Sequence, residues 1–276
     1  MNPKMGASTS KGFTVIESLL FLAISGLMIA TMIVGVSASL NRQRYSDSVV
    51  SLKTVVQEQY AQLSSTQNNR SGELRCGISG TAVPQAQGGA EQTVGQSSCE
   101  LIGRYMVIDQ DEISTYSVLG HRTESAKPAA GTDIEYMQDT GYIDIAIDTA
   151  SVESRGLEWG SQLAWPTAGN EARSPTTPRA VGILFVRSPD SGQVYTFTRD
   201  LVPGDAATIT PEVLRAMIVA GSAVPGQGAR TLCVDSQGLT LNNDFSIYLN
   251  AYATGSNAVE TRTNDYMQSL GLEVQC

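Results

Sequence analysis

Glu17 is the one charged residue between Lys11 and Arg42, and no other reactive side chain in the chain stands in so apolar a setting. A carboxylate inside a membrane-spanning run costs about 2.5–3.5 kcal/mol, so it calls for a partner and a purpose. Elsewhere the chemistry is sparse. His121 is the only histidine and lies in Gly120-His121-Arg122, which reads as a turn; no Gly-x-Ser-x-Gly or comparable nucleophile motif accompanies it. No Gly-x-x-x-x-Gly-Lys loop is present to hold nucleotide phosphates. The expectation is a protein that is not an enzyme and carries no cofactor. Asp109-Gln110-Asp111-Glu112 is the densest acidic cluster and offers oxygen ligands of the kind Ca²⁺ takes. It lacks the spacing and the glycine of an EF-hand loop, so it reads as solvated charge at a strand end, and no metal is expected. Asn69-Arg70-Ser71 fits a glycosylation triplet of a kind that often arises by chance. Trp159 and Trp165 bracket residues 160–164, where core packing is the default for tryptophan and carbohydrate or protein contact the alternative.

The elements that must position Glu17 follow from the run it sits in. Residues 18–41 hold no charge and no proline, and about 20 apolar residues suffice to cross a bilayer. A cleaved secretory signal is the first competitor, with Val36-Ser37-Ala38 as its small-residue cleavage site. Such signals have apolar cores of about 7–15 residues, shorter than this one. A plain signal anchor explains the length but gives Glu17 no role. Lys4 and Lys11 before the run balance Arg42 and Arg44 after it, so charge counting leaves the topology open. Beyond the run, Tyr45, Val49, Leu52, Val56, Tyr60 and Leu63 recur at helical spacing, with Asp47, Lys53 and Glu58 off the stripe. The pattern predicts one helix from about residue 13 to residue 65, roughly 80 Å long at 1.5 Å per residue.

Lys11-Gly12-Phe13-Thr14-Val15-Ile16-Glu17, with the apolar helix behind it, resembles the processing site of type IV prepilins and of the pseudopilins of related secretion machines. The resemblance covers the first quarter of the chain. It implies that a prepilin peptidase-methyltransferase cuts between Gly12 and Phe13 and methylates the new Phe13 amine. It further implies that Glu17 pairs with the Phe13 amine of a neighbouring subunit, or its own, inside a bundle of N-terminal helices. The implied partners are other pilin subunits, the peptidase and an inner-membrane assembly platform. The implied location is single-pass in the cytoplasmic membrane before assembly, and an extracellular filament or the cell surface after it. Pilins that form the bulk of a fibre usually carry a proline about two-thirds through the apolar segment, where this chain has Val34-Gly35. That departure, and a large soluble part, favour a minor pilin of a type IV pilus, serving motility, adhesion or DNA uptake, or a pseudopilin of a type II secretion system. A membrane-anchored extracellular adhesin or binding protein is the reading from another class.

The implied organisation is a leader over residues 1–12, a long helix over 13–66 (transmembrane over 13–40, amphipathic over 41–66) and an extracytoplasmic β-rich domain over 67–276. Loss of the leader with its two lysines takes the net charge from −9 to −11. An acidic surface repels phosphates, so the charge gives no support for a nucleic-acid partner. Four cysteines, Cys76, Cys99, Cys233 and Cys276, all lie outside the apolar run, which suggests disulfides in an exported domain. Three pairings are open. The sequential one, Cys76–Cys99 with Cys233–Cys276, is favoured because both bonds would tie local loops. Residues 71–98, rich in Gly, Gln, Ser and Ala, read as a loop. Strands are predicted over 101–108, 142–147, 180–187, 193–198, 232–234 and 245–249, with 180–187 and 193–198 forming a hairpin across Ser188-Pro-Asp-Ser-Gly192. A short helix over 211–220 has Thr210 as its candidate N-cap. Residues 126–133 and 165–178 read as connections. The expected fold class is α+β, a long helix packed on an antiparallel sheet.

Overall fold

The computed structural model describes residues 12, 14–64, 99–122, 131–138, 143–167, 179–188, 190–203, 209–223, 230–240, 244–250, 254–272 and 274–276. Phe13, Cys76, Asn69-Arg70-Ser71 and the side chains of Cys99 and His121 lie outside that description. Contacts divide the chain into two compact units, Met1–Gln43 and Arg44–Cys276.

Helix α1 runs Val15–Ser64 without a break. Its first part, in the N-terminal unit, is apolar and open to its surroundings: Val15, Phe21, Leu27 and Met32 are all about two-thirds exposed or more. It is the one described helix long and apolar enough to cross a membrane. From Arg44 onward the helix belongs to the second unit. All six residues of the expected stripe are buried there, joined by Ser48, Val55 and Gln59.

The second unit is α+β. Around α1 the chain orders strands β1 (Cys99–Asp109) and β2 (Glu112–Arg122), helix α2 (Asp133–Gln138), and strands β3 (Ile143–Gly156), β4 (Gln162–Ala164), β5 (Ala180–Arg187) and β6 (Val194–Leu201). Helix α3 (Pro211–Ala223), strands β7 (Arg230–Asp235), β8 (Phe245–Leu249) and β9 (Val259–Thr263), and helix α4 (Asn264–Ser269) complete it. Five strands form an antiparallel sheet in the order β3-β2-β1-β5-β6, and four form another in the order β4-β7-β8-β9.

Alternation along the strands builds two cores. On β1, Met106 and Ile108 face one core while Tyr105 and Val107 face the other; on β5, Val181, Ile183 and Phe185 oppose Leu184 and Val186 in the same way. The first core joins Tyr45, Val49, Leu52, Val56, Tyr60 and Leu63 of α1 to both sheets, reaching Leu232 and Val234 of β7 and Ile247 of β8. The second joins the opposite face of the five-stranded sheet to Tyr136 and Met137 of α2 and Leu214, Met217 and Ile218 of α3. Burying a Val or Leu side chain contributes about 1.5–3 kcal/mol. The α1 stripe is therefore what fixes the helix to the sheets.

Polar links set its register. The Tyr45 hydroxyl donates to the Phe245 carbonyl (3.1 Å) and accepts from the Phe245 N–H (3.2 Å). Tyr60 and Thr196 share a hydroxyl hydrogen bond of 2.6 Å. Buried Gln59 accepts from Arg104 Nε (3.3 Å), whose guanidinium also reaches Ser117 (2.9 Å) and Glu153 (3.4 Å). Burial pushes the Tyr45, Tyr60 and Tyr105 hydroxyls up to about 12, so all three stay neutral across the ordinary pH range.

Several expectations are corrected. Gly120-His121-Arg122 is not a turn: it is the end of β2, with His121 opposite Cys99 and Gly120 opposite Glu100. Glycine is needed at 120 because a Cβ would run into the Ile102 side chain. Asp109-Gln110-Asp111-Glu112, expected as charge at a strand end, keeps that place as the tight connection of the β1–β2 hairpin, with Asp109 paired to Glu112, Asp111 and Glu112 exposed, and Gln110 at φ 58°. The connection expected over 126–133 ends at the start of α2. The strand expected over 142–147 runs on to Gly156, and the helix expected over 211–220 runs on to Ala223.

Candidate functional site

The N-terminal block is the site the sequence singles out, and the fold explains how its residues are held. Gly12 is exposed and precedes the helix. Thr14 stands just before Val15, the first helical residue, where four backbone N–H groups lack intrahelical partners. Glu17 turns back to fill that gap. Its Oε2 accepts the Thr14 N–H at 2.9 Å and the Thr14 hydroxyl at 3.0 Å, while the Thr14 Oγ1 accepts the Glu17 N–H at 3.3 Å. This reciprocal arrangement is a capping box, Thr-x-x-Glu, and it fixes where α1 begins. The Thr14-Val15-Ile16-Glu17 spacing is the sequence signature of that box.

The same device recurs at α2. Glu135 Oε2 accepts the Thr132 N–H (2.6 Å) and hydroxyl (3.1 Å), and the Thr132 Oγ1 accepts the Glu135 N–H (3.4 Å). Those hydrogen bonds, the backbone one first, hold the exposed Glu135 carboxyl below its ordinary value. A carboxylate so placed accepts hydrogen bonds best when ionised.

Among the described residues, no cation is paired with Glu17. Its described partners are Thr14 alone, and the helix surface around it is apolar: Ile16 and Leu20 are exposed at 76% and 60%. A carboxylate has more acceptor positions than Thr14 uses, so it can take an ammonium without giving up the cap.

The other expected sites are distributed differently. Cys233 and Cys276 form a disulfide with a Cα–Cα distance of 5.3 Å. It ties the last residue to the buried middle of β7, and Asn264 Oδ1 adds a hydrogen bond from the Cys276 N–H (3.0 Å). Thr167 donates its N–H to the Gln275 carbonyl (2.7 Å), extending the attachment. The Cys76–Cys99 pairing falls outside the described residues. Among the described residues, no three of His, Cys, Asp and Glu come together as metal ligands do.

Sequence reasoning missed the most buried charge among the described residues. Arg179, fully buried before β5, donates to the Thr231 carbonyl (2.8 Å) and the Ala164 carbonyl (3.4 Å) and pairs with Asp200 (3.3 Å). Its guanidinium stacks on Trp165, 4.6 Å from the ring centroid, and Arg230 pairs with the same Asp200. Arg179 thus joins the five-stranded sheet, through β6, to the four-stranded sheet, through β4 and β7. Trp165 is buried as expected of a core residue; Trp159 is not, being 51% exposed.

Compared with known proteins, the chain matches no family model, no curated protein and no solved structure.

Proposed function

We propose that this chain is a non-enzymatic structural subunit, a minor pilin, of a type IV pilus or related filament. The observation that carries the proposal is Glu17: a lone carboxylate, within an exposed apolar helix, five residues after Gly12 and four after Phe13. The Lys11-Gly12-Phe13 junction gives that carboxylate a cation to meet, because cutting after Gly12 frees an ammonium at Phe13. Within an apolar bundle of such helices, each buried charge would remove the cost of the other, and the pair would fix the register between subunits. The Cys233–Cys276 disulfide supports an exported second unit, since such bonds persist in oxidising surroundings. The apolar run supports a single membrane anchor before assembly, in the cytoplasmic membrane. The partners in this reading are other pilin subunits, the prepilin peptidase-methyltransferase and the assembly platform.

Gly12→Ala tests it at the first step. A methyl group at the residue before the cut should block the peptidase, so the variant should accumulate as a precursor twelve residues longer than the wild-type product. Immunoblots of membranes from cells with and without the peptidase read this directly. Equal processing of Gly12→Ala and wild type, or an unchanged product in cells lacking the peptidase, would remove the basis for the reading.

A further inference from the structure

Trp159 departs from the usual behaviour of its residue type twice over. It is 51% exposed, and its backbone lies in the left-handed region (φ 59°, ψ 24°), where a bulky residue is rarely found. The turn that carries it, Glu158–Gly160, is fastened on both sides. Leu157 is buried in the first core and donates its N–H to the Asp111 carbonyl (2.6 Å); Leu163, also buried there, donates to the Gln110 carbonyl (2.8 Å). Ser161 between them is fully buried, and Glu158 accepts the Ser51 hydroxyl of α1 (3.0 Å). The indole is therefore held outward by a backbone that cannot withdraw it. Strain kept in place by rigid surroundings points to a use for the residue that bears it.

Arg44 says what that use is. Its guanidinium lies 5.1 Å from the Trp159 ring centroid, and the residue is exposed. Along α1, at 1.5 Å per residue, Arg44 stands about 4.5 Å beyond Asn41, the last residue of the uncharged run. Beyond each face of the hydrocarbon, the headgroup layer is about 5–7 Å deep. Where the run crosses a bilayer up to Asn41, Arg44 enters that layer, and the Trp159 ring centroid is 5.1 Å from its guanidinium. Tryptophan favours this layer for its amphipathic ring, and arginine reaches it with an apolar stem and a phosphate-binding head.

We propose that Trp159 and Arg44 form a lipid-headgroup contact, the indole entering the interfacial layer and the guanidinium group binding lipid phosphate. The proposal rests on the apolar run being a membrane anchor. Asp47 follows Arg44 by three residues and Glu158 adjoins Trp159 in sequence; with two carboxylates so near in the chain, the contact takes the phosphate common to all phospholipids and does not require an anionic lipid.

The chain has only two tryptophans, which makes the test direct. The full chain is reconstituted into vesicles of phosphatidylethanolamine and phosphatidylglycerol in equal parts, with and without lipids brominated at the upper acyl carbons. The Trp159 emission, read as wild type minus Trp159→Phe, should fall at least two-fold in brominated vesicles, and the Trp165 emission left in Trp159→Phe should not change. Replacing phosphatidylglycerol by phosphatidylcholine should leave the quenching within a factor of two. Flotation of the same vesicles reports the anchor separately: protein that does not float refutes the anchor, and this contact with it. Protein that floats with wild-type emission unquenched by bromolipid overturns the contact alone. Trp159 unquenched in vesicles but shielded from acrylamide in sheared filaments would make it a subunit contact and overturn the lipid assignment.

Discussion

Glu17→Val should remain in the membrane fraction and fall at least a hundred-fold in sheared filaments. Removing the acid removes an insertion penalty of about 2.5–3.5 kcal/mol, so anchoring should be as good as wild type or better. Assembly is where the loss appears. In the bundle, a neighbour's Phe13 ammonium would be left without its carboxylate, and breaking one side of a buried pair costs about 3–5 kcal/mol. Each 1.4 kcal/mol is a factor of ten, which gives the size of the expected deficit. Because Glu17 also caps α1 through Thr14, Glu17→Val alone confounds two roles. Glu17→Gln separates them: a neutral amide still completes a Thr-x-x-Gln capping box but carries no charge for the ammonium. Glu17→Gln should be excluded from filaments like Glu17→Val, and Thr14→Val, which loses the cap and keeps the charge, should still enter them. The reverse ranking would make Glu17 a helix cap and nothing more.

Arg179→Met should lower the stability of the second unit by about 3 kcal/mol. The substitution keeps the apolar stem but leaves the buried Thr231 and Ala164 carbonyls without a donor they now share, and removes a stacked cation from Trp165. Losing one member of a buried network of this kind is among the few ways a single change costs so much. Asp200 keeps Arg230, which is why the expected loss sits at the lower end of the range. For a unit of this size the melting temperature should drop by roughly 6–12 °C. Thermal unfolding of the full chain in detergent, followed by circular dichroism, reads it. A shift under 2 °C would mean that Arg179 does not join the sheets as described. Arg179→Lys should also destabilise, since a lysine cannot reproduce the guanidinium fork.

How much of this was legible beforehand depended on whether neighbours in sequence were also neighbours in space. The α1 stripe and the hairpin across residues 188–192 could be read because their signals are local: helical period in one, turn residues between apolar runs in the other. Strand β2 could not be read the same way. It lies between β1 and β3, with Ile113 reaching one core and Val118 the other, and polar Thr115 and Ser117 are buried between them, so no clean alternation marks it. Gly120 then looked like punctuation, when its smallness answers to Ile102 across the sheet. Arg179 was invisible for a related reason. An arginine reads as surface, and its partners Asp200 and Thr231 are 21 and 52 residues away. At the N-terminus the signal is local: Thr14 and Glu17 are three positions apart, and a Thr-x-x-Glu spacing ahead of an apolar run is legible as a cap.

The central claim is that this chain is a processed filament subunit, and the intact mass of the mature protein tests it most directly. Top-down mass spectrometry of the membrane and filament fractions should find a chain beginning at Phe13, heavier by one methyl on its amine. A chain beginning at Ser39 would establish a conventional secretory signal, and one still carrying residues 1–12 would establish a plain anchor; either result contradicts the account.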